Sequence, residues 1–147
     1  MTGMKQILSL TIGDQLFGID IACISDVLRK QKETVVPLSG RKIAGLLNLR
    51  GHIVTLICVR TCLEMAGEPQ PAMNITISHD KELYGLLFDT VGDILEIEDS
   101  LMEPVPPVLL ARWHGAAHGI FRLPEGLMIL LDPVKLIESA APEADAA

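Results

Sequence analysis

Apolar and polar positions alternate in short runs along most of this chain. Leu8, Leu10 and Ile12 alternate with Ser9 and Thr11, the period of a half-buried strand. Gly13-Asp14-Gln15 predicts a turn, and Leu16-Phe17-Gly18-Ile19 the return strand. The pattern recurs with Met73, Ile75 and Ile77 set against Asn74, Thr76 and Ser78. His79-Asp80-Lys81-Glu82 then turns the chain into an apolar run over 83–89, and 91–97 reads as another strand. Residues 120–123 and 127–131 flank Pro124-Glu125-Gly126, a hairpin turn whose glycine supplies positive φ. The run 52–59 is apolar on both faces, with Val54, Leu56 and Cys58 on one and Ile53, Ile57 and Val59 on the other. Such a strand belongs inside a sheet, covered on both sides.

Helical spacing is confined to short stretches. Asp20 is placed to cap a short helix whose apolar residues are Ile21, Ile24, Val27 and Leu28. Ile43, Leu46 and Leu47 mark one more helical turn. Asp132-Pro133 predicts a helix start, a capping carboxylate followed by proline at the first helical position, with Val134, Leu136 and Ile137 as the apolar side. Residues 140–147 read as a frayed tail. Asn48-Leu49-Arg50-Gly51 is a tight turn. Arg29-Lys30-Gln31-Lys32 is a solvated basic stretch, and Pro37 breaks the chain after Val35-Val36. Residues 64–72, with Gly67, Pro69 and Pro71, form a candidate internal linker. Residues 102–108 form a proline-stiffened loop that cannot join a central ladder. The total is roughly eight to ten short strands, a mainly β chain built as barrels or a sandwich. No long internal repeat shows in the sequence. One domain over 4–139 accounts for the pattern.

Composition narrows the function. With 147 residues, the chain suffices for one ordinary domain or two very small ones sharing a core. Its net charge of -7 lacks the basic footprint that nucleic-acid binding needs. Aromatics at 3% leave few faces for stacking bases or sugars. No apolar stretch is long enough to span a bilayer, and the first residues lack a signal-peptide pattern. A cytoplasmic protein whose partners are other proteins is expected, with no membrane insertion of its own.

Catalytic constellations are missing from the pattern. There is no glycine-rich phosphate loop and no nucleophile elbow. His114 and His118 have helical spacing, but Gly115 and Gly119 argue against a helix there, so no metal site is assigned. Cys23, Cys58 and Cys62 do not form a disulfide framework; Cys58 and Cys62 read as buried small hydrophobes. Asp89, Asp93, Glu96 and Glu98 read as a solvated acidic face. No catalytic residue, cofactor or metal is expected. Arg50, in its glycine-flanked turn, either offers a donor fork to a partner or pairs with a local carboxylate.

Four blocks then carry a resemblance to the CheW family of chemotaxis adaptors. They are Phe17-Gly18-Ile19-Asp20-Ile21 with Asp26-Val27; Val36-Pro37 with 43–51, ending in Asn48-Leu49-Arg50-Gly51; 86–95; and 126–136. They fall in the family's order over almost the whole chain. The resemblance implies two small five-stranded SH3-like barrels packed on a shared hydrophobic core, with short helices and a C-terminal helix. It implies no enzymatic activity, and a free-standing adaptor, monomeric when isolated, that couples chemoreceptors to a CheA-type histidine kinase. Its partners would be the kinase's regulatory domain and the cytoplasmic tip of methyl-accepting receptors, at the membrane-associated array. Alternatives are a scaffold for a non-chemotactic kinase pathway, or a small ligand-binding barrel or enzyme. Thr55 and Cys58 depart from the family's usual proline and aspartate.

The resemblance also implies sites. The receptor-binding residues would be Ile24, Asp26, Gly45, Arg50 and Gly51, around a groove between the barrels beside the 20–28 segment and the Arg50 turn. In the alternative, Ile24 and Gly45 are core packing. Met102, Glu103 and Val108 would meet the kinase or a neighbouring module; alternatively, their loop only connects two strands.

Overall fold

The computed structural model describes residues 3–29, 42–65, 73–113 and 115–146. Its ten strands form two five-stranded sheets. β1 (Met4–Ile12), β2 (Gln15–Asp20), β8 (Thr90–Glu98), β9 (Ala117–Leu123) and β10 (Gly126–Leu131) make the first, in the order β8-β1-β2-β10-β9. β3 (Asp26–Arg29), β4 (Ile43–Leu49), β5 (His52–Cys58), β6 (Met73–His79) and β7 (Glu82–Phe88) make the second, in the order β3-β6-β7-β5-β4. The mainly β, twice five-stranded SH3-like architecture is as expected; neither ladder closes into a continuous ring. Among the described residues three α-helices accompany them: α1 (Val59–Cys62), α2 (Pro107–Arg112) and α3 (Pro133–Ala146).

The strand alternation sorts side chains into three cores. Leu8, Leu10, Phe17 and Ile19 from the first sheet meet Ile57, Ile75, Leu86 and Phe88 from the second in one shared cluster. Trp113 joins it against Phe17, with ring centroids 6.0 Å apart. Each sheet also has a private core: Ile7, Ile97, Phe121, Met128 and Leu130 in the first, and Leu47, Val54, Leu56 and Leu87 in the second. β5 runs between β7 and β4 as expected, sending Ile57 to the shared core and Val54 and Leu56 to the private one. Its Ile53 lies outside both and is 57% exposed. Buried Cys58 and Cys62 fill space as small hydrophobes.

Of two helices expected from the sequence, one shrinks to a single turn followed by a strand and the other is a strand. Asp20 does cap, its Oδ1 accepting from the Ala22 N–H at 3.0 Å, but the helix is a single 3-10 turn over Ile21–Cys23. Val27 and Leu28 pair instead with Ile75 and Asn74 in β3. The Ile43, Leu46 and Leu47 spacing belongs to β4, where a bulge between Ile43 and Gly45 inserts an extra residue and breaks the period of two. The loop over 102–108 ends sooner than expected: Pro107 opens α2, so Val108 is helical. α3 starts as expected, with Asp132 Oδ1 accepting from the Val134 N–H at 3.0 Å. It continues through Ala146, and Ala140, expected in a loose tail, is a buried member of the shared core. Of the candidate linker only Glu64 and Met65 fall among the described residues; 30–32 and Pro37 lie outside them.

The structure also reveals a repeat. Taken in the cyclic order β8, β9, β10, β1, β2, the first sheet has the same strand order as β3 to β7 in the second. The registers match as well. Gly18 sits opposite Ser9 and beside Leu130; Gly85 sits opposite Thr76 and beside Leu56. A Cβ at Gly18 would collide with Ile7 and Met128, and one at Gly85 with Asn74 and Leu56. Gly119 faces Leu130 at one bulge, as Gly45 faces Leu56 at the other. The cyclic shift splits one copy across the two chain ends, and little local identity survives beyond Leu16-Phe17-Gly18 and Leu83-Tyr84-Gly85.

Candidate functional site

The five residues assigned to one docking site fall at the two margins of the second sheet. Ile24 follows the 3-10 turn and is half-buried against the shared core. Asp26 opens β3. Gly45 is buried in β4 with φ 155°, at the bulge, so its backbone conformation favours glycine. Arg50 and Gly51 form the β4–β5 turn, both exposed and with φ of 53° and 86°. The Asn48 Oδ1 accepts from the Gly51 N–H at 3.0 Å and holds that turn. Arg50 is exposed and makes no ion pair among the described residues. β3 and β4 are the outer strands of the ladder, and no backbone pairing joins the two groups.

An open groove of about 620 Å³ lies beside the capped turn. Met4, Gln6, Ile21, Ala22 and Glu96 line it, with Lys5, Asp20 and Asp99. Lys5 lies 3.9 Å from Asp20 and 3.7 Å from Asp99, between the two carboxylates. Cross-strand pairing sets Met4 opposite Glu98 and Gln6 opposite Glu96, and it sets Ile94 opposite Leu8 further along the same strands. Met4 and Ile94 are 56% and 55% exposed. This groove is lined by β1, β8 and the capped turn and by no strand of the second sheet, so it is not the groove expected between the barrels, and none of Ile24, Asp26, Gly45, Arg50 and Gly51 lines it. The sequence reading did not single out Met4 and Gln6, and it took Glu96 as part of a solvated acidic face. Their only signal was an apolar residue at the outer end of a strand next to an acidic run.

The second trio divides. Met102 is half-buried, packs on the private core of the first sheet and covers Gly119. Glu103 makes an isolated bridge with Ile120 beside the outer strand β9, and its carboxylate accepts from Arg122 Nε at 2.6 Å. Val108 on α2 is 78% exposed. The loop therefore fastens itself to the sheet with its first two residues and displays the third.

The acidic run also divides. Asp93, Glu96 and Glu98 are exposed on β8, but Asp89 is not part of a solvated face: its Oδ2 receives Arg60 Nη2 at 2.8 Å. Cys23 reaches the surface, yet partial burial of its sulfur, then the Asp20 and Asp132 carboxylates, push its thiol pKa up. His118 is exposed on β9, and His114 lies outside the described residues. Among the described residues no group of three or more His, Cys, Asp and Glu side chains could hold a metal ion. No described helix is long and apolar enough to cross a membrane.

Comparison with known proteins agrees with this geometry. The CheW-like domain family model matches residues 6–141. The probable chemotaxis protein CheW of Rhizobium etli is 26% identical over 144 residues, covering 97% of this chain and 93% of that protein. The chemotaxis protein CheW of Rhizobium meliloti is 29% identical over 131 residues, covering 88% and 84%. The crystal structure of the scaffolding protein TtCheW from Thermoanaerobacter tengcongensis shares the fold, with a TM-score of 0.77 at 24% identity over 88% of this chain and 90% of that one.

Proposed function

The chain belongs to the family of CheW-like domains, and from that premise we propose that it is an adaptor holding chemoreceptors and a CheA-type histidine kinase in one complex. As a family member it is a non-catalytic scaffold, not an enzyme. Signal would pass through it by contact, in the cytoplasm, at the face of a receptor array.

What supports this reading is that the candidate residues sit on different elements, Arg50 and Gly51 on the β4–β5 turn of the second sheet and Val108 on α2 beside the first. One region is carried on the margins of the second sheet, Ile24 and Asp26 at one and Arg50 and Gly51 at the other, with the groove of β1, β8 and the capped turn next to the first pair. A receptor tip is a helical hairpin, and an open groove with apolar Met4 and Ile21 and a carboxylate rim suits an amphipathic helix. Arg50 and Asp26 act at the edge, setting orientation more than affinity. Gly45 shapes β4 from within. The other region is Val108 on its proline-started helix, with Met102 and Glu103 as its fixed base, facing the kinase regulatory domain. Prolines 104, 106 and 107 limit the ordering entropy lost on docking there. Single contacts of this kind are modest in area, so the isolated protein is a monomer at micromolar concentration. Its net charge of -7 leaves nucleic acid out as a partner.

The test is capture of the tagged chain from its native cell, with identification of what co-purifies. A CheA-type kinase together with receptors is the expected result. A kinase unconnected with receptors would replace the chemotactic reading by the other scaffold reading.

A further inference from the structure

We infer that Arg60, Asp89 and the Gly13 amide form a clamp that fixes how the two sheets are oriented on each other. The shared core joins the sheets by apolar contact, which is non-directional. Direction comes from elsewhere. The chain passes from β7 to β8 through a single residue, Asp89. Its backbone N–H donates to the Thr11 carbonyl at 3.0 Å. Its carboxylate Oδ2 accepts from the Gly13 N–H at 2.8 Å and from Arg60 Nη2 at 2.8 Å. Thr11 and Gly13 belong to the β1–β2 hairpin of the first sheet. Arg60 belongs to α1, which continues β5 of the second. One oxygen therefore ties both sheets together at their shortest covalent crossing. The side chains are 12% and 22% exposed, so water and salt screen the pair little. The other crossing, β2 to β3, is built differently: Asp20 caps its own turn and faces Lys5 of its own sheet.

The consequence bears on the adaptor reading and rests on it. The Arg50 turn rides on the second sheet, while the Val108 helix is anchored through Glu103 and Met102 to the first. A clamp between the sheets holds the two docking regions at a fixed separation, so a receptor and a kinase bound to one adaptor are held in register.

The experiment measures orientation in the isolated protein. Spin labels go on Ser78→Cys in the second sheet and Glu125→Cys in the first, in a Cys23→Ser background, and pulsed dipolar spectroscopy gives the distance distribution. Asp89→Ala and Arg60→Met should widen that distribution at least twofold while Trp113 emission, a reporter of the shared core, stays in place. Arg122→Gln, which breaks the ion pair inside the first sheet, should leave the width unchanged. If Asp89→Ala does not fold, Asp89→Asn and Arg60→Lys carry the same test. Unchanged widths in folded clamp variants, or equal widening in Arg122→Gln, would overturn the clamp and leave the adaptor reading standing. Widening in a protein that binds neither partner would establish the clamp and remove the adaptor reading.

Discussion

The two sheets carry the same ladder with different fillings. Where the first packs Ile7, Phe121, Met128 and Leu130, the second packs Asn74, Leu47, Val54 and Leu56 at the matching register positions. Asn74 is 1% exposed, and the Thr76 hydroxyl donates to its Oδ1 at 3.4 Å. Less apolar volume in its private core should make the second sheet the weaker unit. That sheet holds the Arg50 turn, and the proposed receptor contact there would fit the general tendency of binding regions to come from the less stable parts of a fold. The exposed apolar positions, by contrast, are shared: Val27 matches Ile94, and Ile53 matches Leu127.

The comparison can be broken most forcefully in the private cores. Phe121→Ala should cost about 3–5 kcal/mol and its counterpart Leu47→Ala about 2–4 kcal/mol in urea unfolding. A larger loss at Leu47 would reverse the ranking of the two sheets. The paired glycines come next. Gly18→Ala and Gly85→Ala should each destabilise by about 1–3 kcal/mol through overpacking. In a double-mutant cycle, Asn74→Ala should relieve part of the Gly85→Ala loss and none of the Gly18→Ala loss; additive effects at Gly85 would remove the proposed collision. Asp132→Ala, deleting the α3 cap, should lower stability by about 1 kcal/mol without altering either private core. The smallest stability effect belongs to the matched surface positions: Val27→Thr and Ile94→Thr should each stay within about 0.5 kcal/mol of the parent in thermal melts. One chemical asymmetry accompanies these. Cys23 titrates with a raised pKa, so at pH 7 its thiolate fraction is lower than that of a free cysteine. Its alkylation should be correspondingly slow and rise only at more alkaline pH; ordinary thiol reactivity would contradict the shielding.

Much of the fold was legible because strand alternation survives where one residue in two points inward. β1, β2 and β6 to β10 follow directly from that period, and the doubly apolar 52–59 run marks β5. β3 and β4 were not legible as strands. Over Ile21 to Leu28, and again over Ile43 to Leu47, spacings of three and four mimic a helix. In β4 the bulge before Gly45 itself supplies the odd step. The Arg50 turn could be read from its asparagine and glycine, since both serve the local backbone. The groove could not, because Met4, Ile21 and Glu96 meet only after β1 and β8 have paired. Asp89 looked like one more surface carboxylate because its partner, Arg60, is 29 residues away.

The central claim is that one small scaffold holds two partners through two separate regions. Co-sedimentation with a receptor signalling fragment and with the kinase regulatory domain, on Arg50→Glu and Val108→Glu, tests it most directly. Both positions are exposed, so both variants should melt cooperatively like the parent. The account predicts a crossed result: Arg50→Glu loses receptor binding and keeps the kinase, and Val108→Glu loses the kinase and keeps the receptor. If folded variants bind both partners as the parent does, or if either substitution abolishes both contacts together, the two-region account is wrong.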